Sequence, residues 1–246
     1  MRIKAIQDLD LANEEKNSII LNLNKLLERN RPTTNEILID WDPTAAERVV
    51  DLYIVKTLNI LGDDTQNHRI ILSITHANRF LSEPNELEVA SKIIKSINDK
   101  KTYTDVFELL KSSNNTISEN AVITLDNLQL ENAPLRGENI KSLLSSKELS
   151  FKFSNLREEM ELYAKMSNGV IILSQGVKEF INVNNYRRSD EGKFINFEKS
   201  LSDILETYIS ELGFDYYIED NHIVICTYKE AANRWIHWFD ETTNSQ

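Results

Sequence analysis

Leu149-Ser150-Phe151-Lys152-Phe153, then Asn155, then Leu156 to Met166, then Gly169 and Val170-Ile171-Ile172-Leu173 form the stretch that carries the architecture. Leu149 to Phe153 alternates apolar and polar side chains, the period of a half-buried strand. Asn155 offers a cap to a helix over Leu156 to Met166. Gly169 ends that helix, and Val170 to Leu173 is a further apolar strand. Strand, helix and strand in this order predict crossovers onto a mainly parallel or mixed sheet.

The same rhythm reads upstream. Ala12 to Arg29 spaces Ile19, Ile20, Leu23, Leu26 and Leu27 along one helical face, giving an N-terminal amphipathic helix. Glu36 to Ile39 reads as a strand. Asp42 offers an N-cap oxygen, Pro43 suits the first helical position, and an apolar helix runs to about Leu61. Ile70-Ile71-Leu72-Ser73-Ile74 and Val122-Ile123-Thr124-Leu125 are apolar runs of strand length, and both are expected to be strands. Between them lie a helix from Pro84 or Glu86 to Ile97, a turn at Asp99 to Lys101 and a short helix over Asp105 to Lys111. Ser112 to Asn115 follows as an exposed loop, and Glu138 to Leu144 as a short helix.

Downstream the rhythm breaks at the polar segment 184–192. A boundary there separates an α/β domain, residues 1–183, from a C-terminal α+β subdomain, residues 193–246. The subdomain reads as helix–hairpin–helix. Phe197 to Leu212 is the first helix, Phe214–Ile218 and Ile223–Tyr228 are hairpin strands around Glu219-Asp220-Asn221-His222, and Lys229 to Asp240 is the last helix. The expected class is therefore α/β with a mainly parallel or mixed sheet, crossover helices, an N-terminal helix and this C-terminal unit.

Composition narrows the function classes. The 246 residues carry a formal charge of −11, with 41% hydrophobic and 27% charged side chains, as in a soluble globular protein. A diffuse negative field repels phosphate backbones, which argues against a nucleic-acid partner. The one basic segment with an aromatic, Tyr186-Arg187-Arg188, is followed at once by Asp190 and Glu191. No apolar run approaches the ~20 residues that span a bilayer, so no membrane partner is expected. Asp8 and Asp10 interrupt the first residues, unlike a secretory signal. The single cysteine, Cys226, lies in the apolar run His222 to Cys226 and reads as a buried inert thiol. These features fit a reducing cytoplasm. Abundant Asn, Ile, Lys and Ser with little Gly and Pro suggest an A/T-rich genome, bacterial or phage-borne.

Only six glycines are present, all singly placed, so neither a dinucleotide fingerprint nor a phosphate loop exists. Ser174-Gln175-Gly176 lacks the glycine of a nucleophile elbow two residues before the serine. The four histidines stand apart, outside any metal-ligand spacing; His76, after Thr75, is a candidate base or a capping histidine.

One motif points to chemistry. Ile37-Leu38-Ile39-Asp40-Trp41-Asp42-Pro43-Thr44 is an apolar strand ending in Asp-x-Asp-x-Thr, and it resembles the first motif of the haloacid-dehalogenase-like phosphatases. The resemblance implies that Asp40 attacks phosphorus, that Asp42 is the general acid and that both hold Mg²⁺. It implies Ser73 as the second motif, Lys92 or Lys95 as the lysine and Asp126 as the further metal carboxylate. Pro43 departs from the family pattern, and Asp42-Pro43 also reads as a plain helix start. Leu125-x-x-Leu128-x-Leu130 resembles one leucine-rich repeat unit, whereas a solenoid needs three. Val122 to Ile172 resembles half of an anti-sigma-antagonist-type domain without its phosphorylatable segment.

The candidate partner-binding residues are Trp235, Trp238 and Phe239, bunched on the last helix. Large aromatics anchor interfaces because they bury much area with few rotatable bonds. The alternative for the tryptophans is that they cover the hairpin as core. The sequence thus predicts a non-catalytic cytoplasmic interaction protein, a regulator, adaptor or small subunit with a protein partner and no cofactor. The alternative is a Mg²⁺-dependent phosphatase or phosphotransferase built on Asp40 and Asp42.

Overall fold

The computed structural model describes residues 13–29, 44–77, 86–130, 133, 144, 149–151, 155–184, 197–207, 209–210 and 212–244. They form a mostly helical chain with a small mixed sheet, ten helices and five strands among the described residues. The chain divides into two compact units, Met1–Gln129 and Leu130–Gln246.

The first unit contains six described helices: α1 (Asn13–Arg29), α2 (Ala45–Ile60), α3 (His68–His76), α4 (Glu86–Ile97), α5 (Lys100–Leu109) and α6 (Asn115–Leu128). Helices α2, α3, α4 and α6 form the packed centre; α5 lies on α3 and α6, and α1 on α2. Two expected strands are helices here. In α3, Ile70 and Ile74, four residues apart, are fully buried while Leu72 between them is 48% exposed. In α6, Val122, Leu125 and Leu128 share the buried face, and Asn114 caps the N-terminus by accepting from Thr116 N at 3.0 Å. A short apolar run carries no period of its own, so the flanking caps and one-sided burial decide its form. The expected strand at 36–39 and the helix start at Asp42-Pro43 lie outside the described residues. The N-cap of α2 is Thr44, in a capping box with Glu47. Asp99 is likewise a cap rather than a turn residue, and it starts α5 five residues earlier than expected. Hydrogen bonds from Thr102 above all hold its carboxyl below the usual range, outweighing burial.

Buried polar side chains fix how these helices meet. Glu86 of α4, 0% exposed, accepts from Arg48 Nε of α2 at 2.7 Å and from Ser73 Oγ of α3. Arg69 of α3 pairs with Asp51 of α2 at 2.9 Å and donates to the Leu27 carbonyl of α1 at 3.1 Å. Asn120 of α6 donates to the Ile74 and Ala77 carbonyls, both at 2.9 Å, and so closes the end of α3. Ser91 of α4 donates to the Thr124 carbonyl of α6 at 3.0 Å.

The second unit contains β1 (Leu149–Phe151), α7 (Leu156–Met166), β2 (Ile171–Leu173), α8 (Gln175–Val183), β3 (Phe197–Lys199), α9 (Leu201–Thr207), β4 (Phe214–Glu219), β5 (His222–Thr227) and α10 (Tyr228–Asn244). Its three-stranded sheet has the order β2-β5-β4; β2 runs parallel to β5, and β4 antiparallel to it. β1 and β3 form a separate antiparallel pair. The quoted stretch keeps its order of strand, capped helix and strand, with Asn155 capping α7, but not the expected crossover: β1 and β2 belong to different sheets, and β1 pairs antiparallel with β3. The parallel pairing of β2 with β5 joins the two sides of the 184–192 segment where the sequence suggested a boundary. The helix expected over Phe197 to Leu212 is interrupted. Phe197–Lys199 is β3, and Ser200, bonded to Asp203, restarts the chain as α9.

The sheet has two distinct faces. Alternation and register put Ile171, Leu173, Ile223, Ile225, Phe214 and Tyr216 on one face. They join Leu156, Met160 and Tyr163 of α7, Val177 and Ile181 of α8 and Leu201, Ile204 and Leu205 of α9 in one core. The opposite face carries Ile172, Val224, Cys226 and Tyr217, and α10 lies on it, with the Arg234 guanidinium 3.4 Å from the centre of the Tyr217 ring. Cys226 is fully buried there, as expected of an inert thiol. The hairpin turn is Asp220-Asn221, both at positive φ, the geometry of a two-residue turn that matches strand twist.

The buried pair makes a quantitative prediction. Arg48→Ala strands the Glu86 carboxylate and is expected to cost about 3 kcal/mol or more. The combination Arg48→Met, Glu86→Leu and Ser73→Ala removes these three polar groups together and is expected to recover most of that loss. Urea unfolding midpoints of the two variants measure the difference.

Candidate functional site

The aromatic helix α10 grows out of β5 without a loop, because Thr227 and Glu230 form a capping box. Glu230 N donates to Thr227 Oγ1 at 3.3 Å, and Thr227 N donates back to Glu230 Oε2 at 2.9 Å. The Glu230 carboxylate does more than close its own helix. It also accepts from Ser174 Oγ at 2.7 Å and from Gly176 N at 2.9 Å, both at the start of α8. Ser174 is itself the α8 N-cap, accepting from Val177 N, and its own N–H extends the β2–β5 ladder to the Ile225 carbonyl at 2.9 Å. One side chain therefore satisfies donors at the N-termini of two helices, each following the C-terminal end of one of two parallel neighbours. Negative charge is favoured at such ends by the helix dipole.

Gly176 is required by this arrangement. A Cβ at that position would lie 2.6 Å from Glu230 Cδ and Oε2 and 2.8 Å from Oε1. Burial pushes the Glu230 carboxyl up, but the hydrogen bonds from Ser174, Thr227 and Gly176 outweigh it and leave the group below its ordinary value.

Farther along α10, Ala231, Ala232 and Trp235 are buried. Trp235, only 1% exposed, is core, in accord with the reading in which the tryptophans cover the hairpin. Arg234 already reaches Glu219, the last residue of β4 before the turn, at 3.4 Å. The helical turns that follow thus lie at the turn end of the hairpin. There Trp238 and Phe239 are half-buried, and the Trp238 ring stands edge-on to Trp235, 5.6 Å between centroids at 87°. Asp240 and Glu241 are exposed beside them. On the opposite side of the sheet, α8 exposes Phe180 and Val183, the latter at 84%. Phe180 also packs edge-on against buried Phe214, 5.3 Å between centroids.

The residues proposed for phosphoryl chemistry are described only in part. Asp40 and Asp42 lie outside the described residues, as does Tyr186-Arg187-Arg188. Ser73 sits within α3 rather than at a strand end, buried and donating to Glu86. Asp126 is in the last turn of α6, not after a strand. Lys92 is exposed on α4 and paired with Glu88, and Lys95 is exposed on the same helix. His76 ends α3, with Nδ1 2.9 Å from the Leu72 carbonyl and from Thr75 Oγ1. The leucine-rich-repeat and anti-sigma-antagonist echoes both start from residues that are helical in α6. Among the described residues, no group of three or more His, Cys, Asp or Glu is arranged to hold a metal ion, and no helix is long and apolar enough to cross a membrane.

The Glu230 junction was missed in the sequence, although Thr227-Tyr228-Lys229-Glu230 carries the capping-box spacing. Its prediction is a cycle. Glycine near a helix start costs stability relative to alanine unless space forbids a Cβ. Gly176→Ala should therefore destabilise by about 1–2 kcal/mol in the wild type, by displacing the carboxylate from its donors. In a Glu230→Ala background the same change should be neutral or stabilising by up to about 1 kcal/mol. The pH dependence has a definite sign. A carboxyl held below its ordinary value stabilises the fold above that value, and the benefit disappears as pH falls through the lowered one. The melting-temperature gap between wild type and Glu230→Gln should be full at neutral pH and close in acid.

Comparison with known proteins yields no matching family model, no similar curated protein and no similar solved structure.

Proposed function

We propose that this chain is a non-catalytic interaction module, a cytoplasmic regulator, adaptor or small subunit that docks a protein partner through the C-terminal half of α10. The observation that carries the reading is the Trp235–Trp238 pair. Trp235 is anchored in the core, and its edge-on contact holds Trp238 in place while Trp238 keeps part of its surface in solvent. An aromatic that is already immobilised loses little rotamer freedom on association, which is what makes tryptophan effective at the centre of an interface. Phe239 extends the apolar contact, and Asp240 and Glu241 border it with negative charge.

The chemistry of the partner follows from these groups. An apolar patch edged by carboxylates, on a chain of net charge −11, fits a protein surface with an apolar centre and basic borders. The opposite charge raises the encounter rate, and the aromatics supply the short-range affinity. The polar side chains once assigned to phosphoryl transfer have other work in the described residues: Ser73 binds Glu86 and Lys92 binds Glu88.

Wild type and Trp238→Ala, each shown to be folded by circular dichroism and melting temperature, are compared for co-purified proteins at low and high salt. The variant is expected to lose its partner, and wild type to retain less of it at high salt than at low salt. A folded Trp238→Ala protein that keeps every partner refutes the reading. A phosphatase assay with and without Mg²⁺, using Asp40→Asn as control, tests the catalytic alternative; Mg²⁺-dependent turnover lost in that variant would replace the interaction reading.

A further inference from the structure

We infer that Glu230 is a latch through which α8 and α10 open together, so that a displacement of one helix is felt by the other. The two helices lie on opposite faces of one small sheet: α8 packs through Val177 and Ile181 into the core of one face, and α10 lies on the other. Their N-terminal ends nevertheless converge, because β2 and β5 are parallel neighbours and each runs straight into its helix. At that convergence a single carboxylate accepts from Ser174 Oγ and Gly176 N on the α8 side and from Thr227 N and Oγ1 on the α10 side.

The coupling follows from the accounting of donors. If α10 shifts or frays at its start, Glu230 leaves with it, and the first turn of α8 loses two hydrogen bonds at once. If α8 lifts away, the carboxylate loses half its donors, and the capping box keeps only Thr227. Each helix end is thus worth more while the other is in place, which is positive coupling between two elements. Gly176 enforces it sterically, since the carboxylate fills the space that a Cβ would occupy. The device connects two surfaces: the half-buried Trp238 and Phe239 of α10, and the exposed Phe180 and Val183 of α8. It holds in the free protein, whether or not α10 docks a partner.

Hydrogen exchange by mass spectrometry on the full chain tests the latch. In wild type, peptides covering Gln175–Val183 and the start of α10 should show similar protection. Glu230→Gln should speed exchange at the start of α8 by about tenfold, the equivalent of one charge-assisted hydrogen bond, while peptides of α7 keep wild-type rates. Thr227→Val alters only the α10 side of the junction and remains informative if Glu230→Gln fails to fold. It should speed exchange in α8 as well as in α10. Unchanged α8 rates in both variants, or one common acceleration over the whole second unit, would overturn the latch.

Discussion

The hydrogen bonds of Glu230 settle a problem that the topology of the second unit creates. Parallel strands β2 and β5 end side by side, and each is followed at once by a helix. Two helix N-termini therefore bring unsatisfied N–H groups and two positive dipole ends into the same small space. Left alone, those ends repel each other and leave donors short of acceptors. A carboxylate between them satisfies both, and a glycine at Gly176 gives it room. β2 has only three residues, and besides the core packing of Val177 and Ile181 the start of α8 is tied to a side chain far along the sequence.

The first unit solves a related problem with different means. It has no strand among its described residues, so no ladder sets the order of its helices. Apolar burial brings α2, α3, α4 and α6 together but is non-directional and leaves their rotations loosely defined. Arg48–Glu86–Ser73, Arg69 with Asp51 and the Leu27 carbonyl, and Asn120 with the Ile74 and Ala77 carbonyls each link specific positions on different helices. Each contact is satisfied only in one register. A buried ion pair adds little to stability over a well-packed apolar replacement, and its contribution here is to the uniqueness of the arrangement. Ser73, which the phosphatase resemblance would recruit, is one of these residues, and its hydroxyl is given to Glu86.

The elements that could be read in the sequence are those with a period or a cap of their own. A strand at Leu149–Phe151, the Asn155 cap, the Asp220-Asn221 turn and the helices α1, α4 and α10 all appear where expected. The strands wrongly expected at Ile70–Ile74 and Val122–Leu125 are apolar runs of four or five residues, short enough to satisfy either period. Their helical form comes from outside the run: Asn114 caps one, and the other buries Ile70 and Ile74 while Leu72 stays exposed. That error carried Ser73 and Asp126 with it, because a strand end was the reason to associate them with Asp40. The Glu230 junction combines a local signal and a non-local one. Thr227-x-x-Glu230 was visible as a capping box, but Ser174 and Gly176 lie more than fifty residues away. Only the parallel pairing of β2 with β5 brings them together.

Glycine scarcity takes on a different meaning in this light. A chain with few, singly placed glycines was expected to lack a dinucleotide fingerprint and a phosphate loop. At Gly176 the backbone does receive an anionic group, next to a helix N-terminus, and the group is the chain's own carboxylate. This anion-accepting backbone position is filled from within, by a carboxylate that bonds the starts of two helices. Among its described residues the second unit also presents apolar side chains outward: Trp238 and Phe239, half-buried, on one helix and Phe180 and Val183 on the other, with aromatic rings braced edge-on by Trp235 and Phe214. Braced rings cost little entropy to engage, whereas a diffuse charge of −11 acts over distance and fades with salt. The two act at different stages of an encounter, charge in the approach and aromatics in the contact. On the interaction reading proposed above, such a surface would discriminate partners by shape and sign.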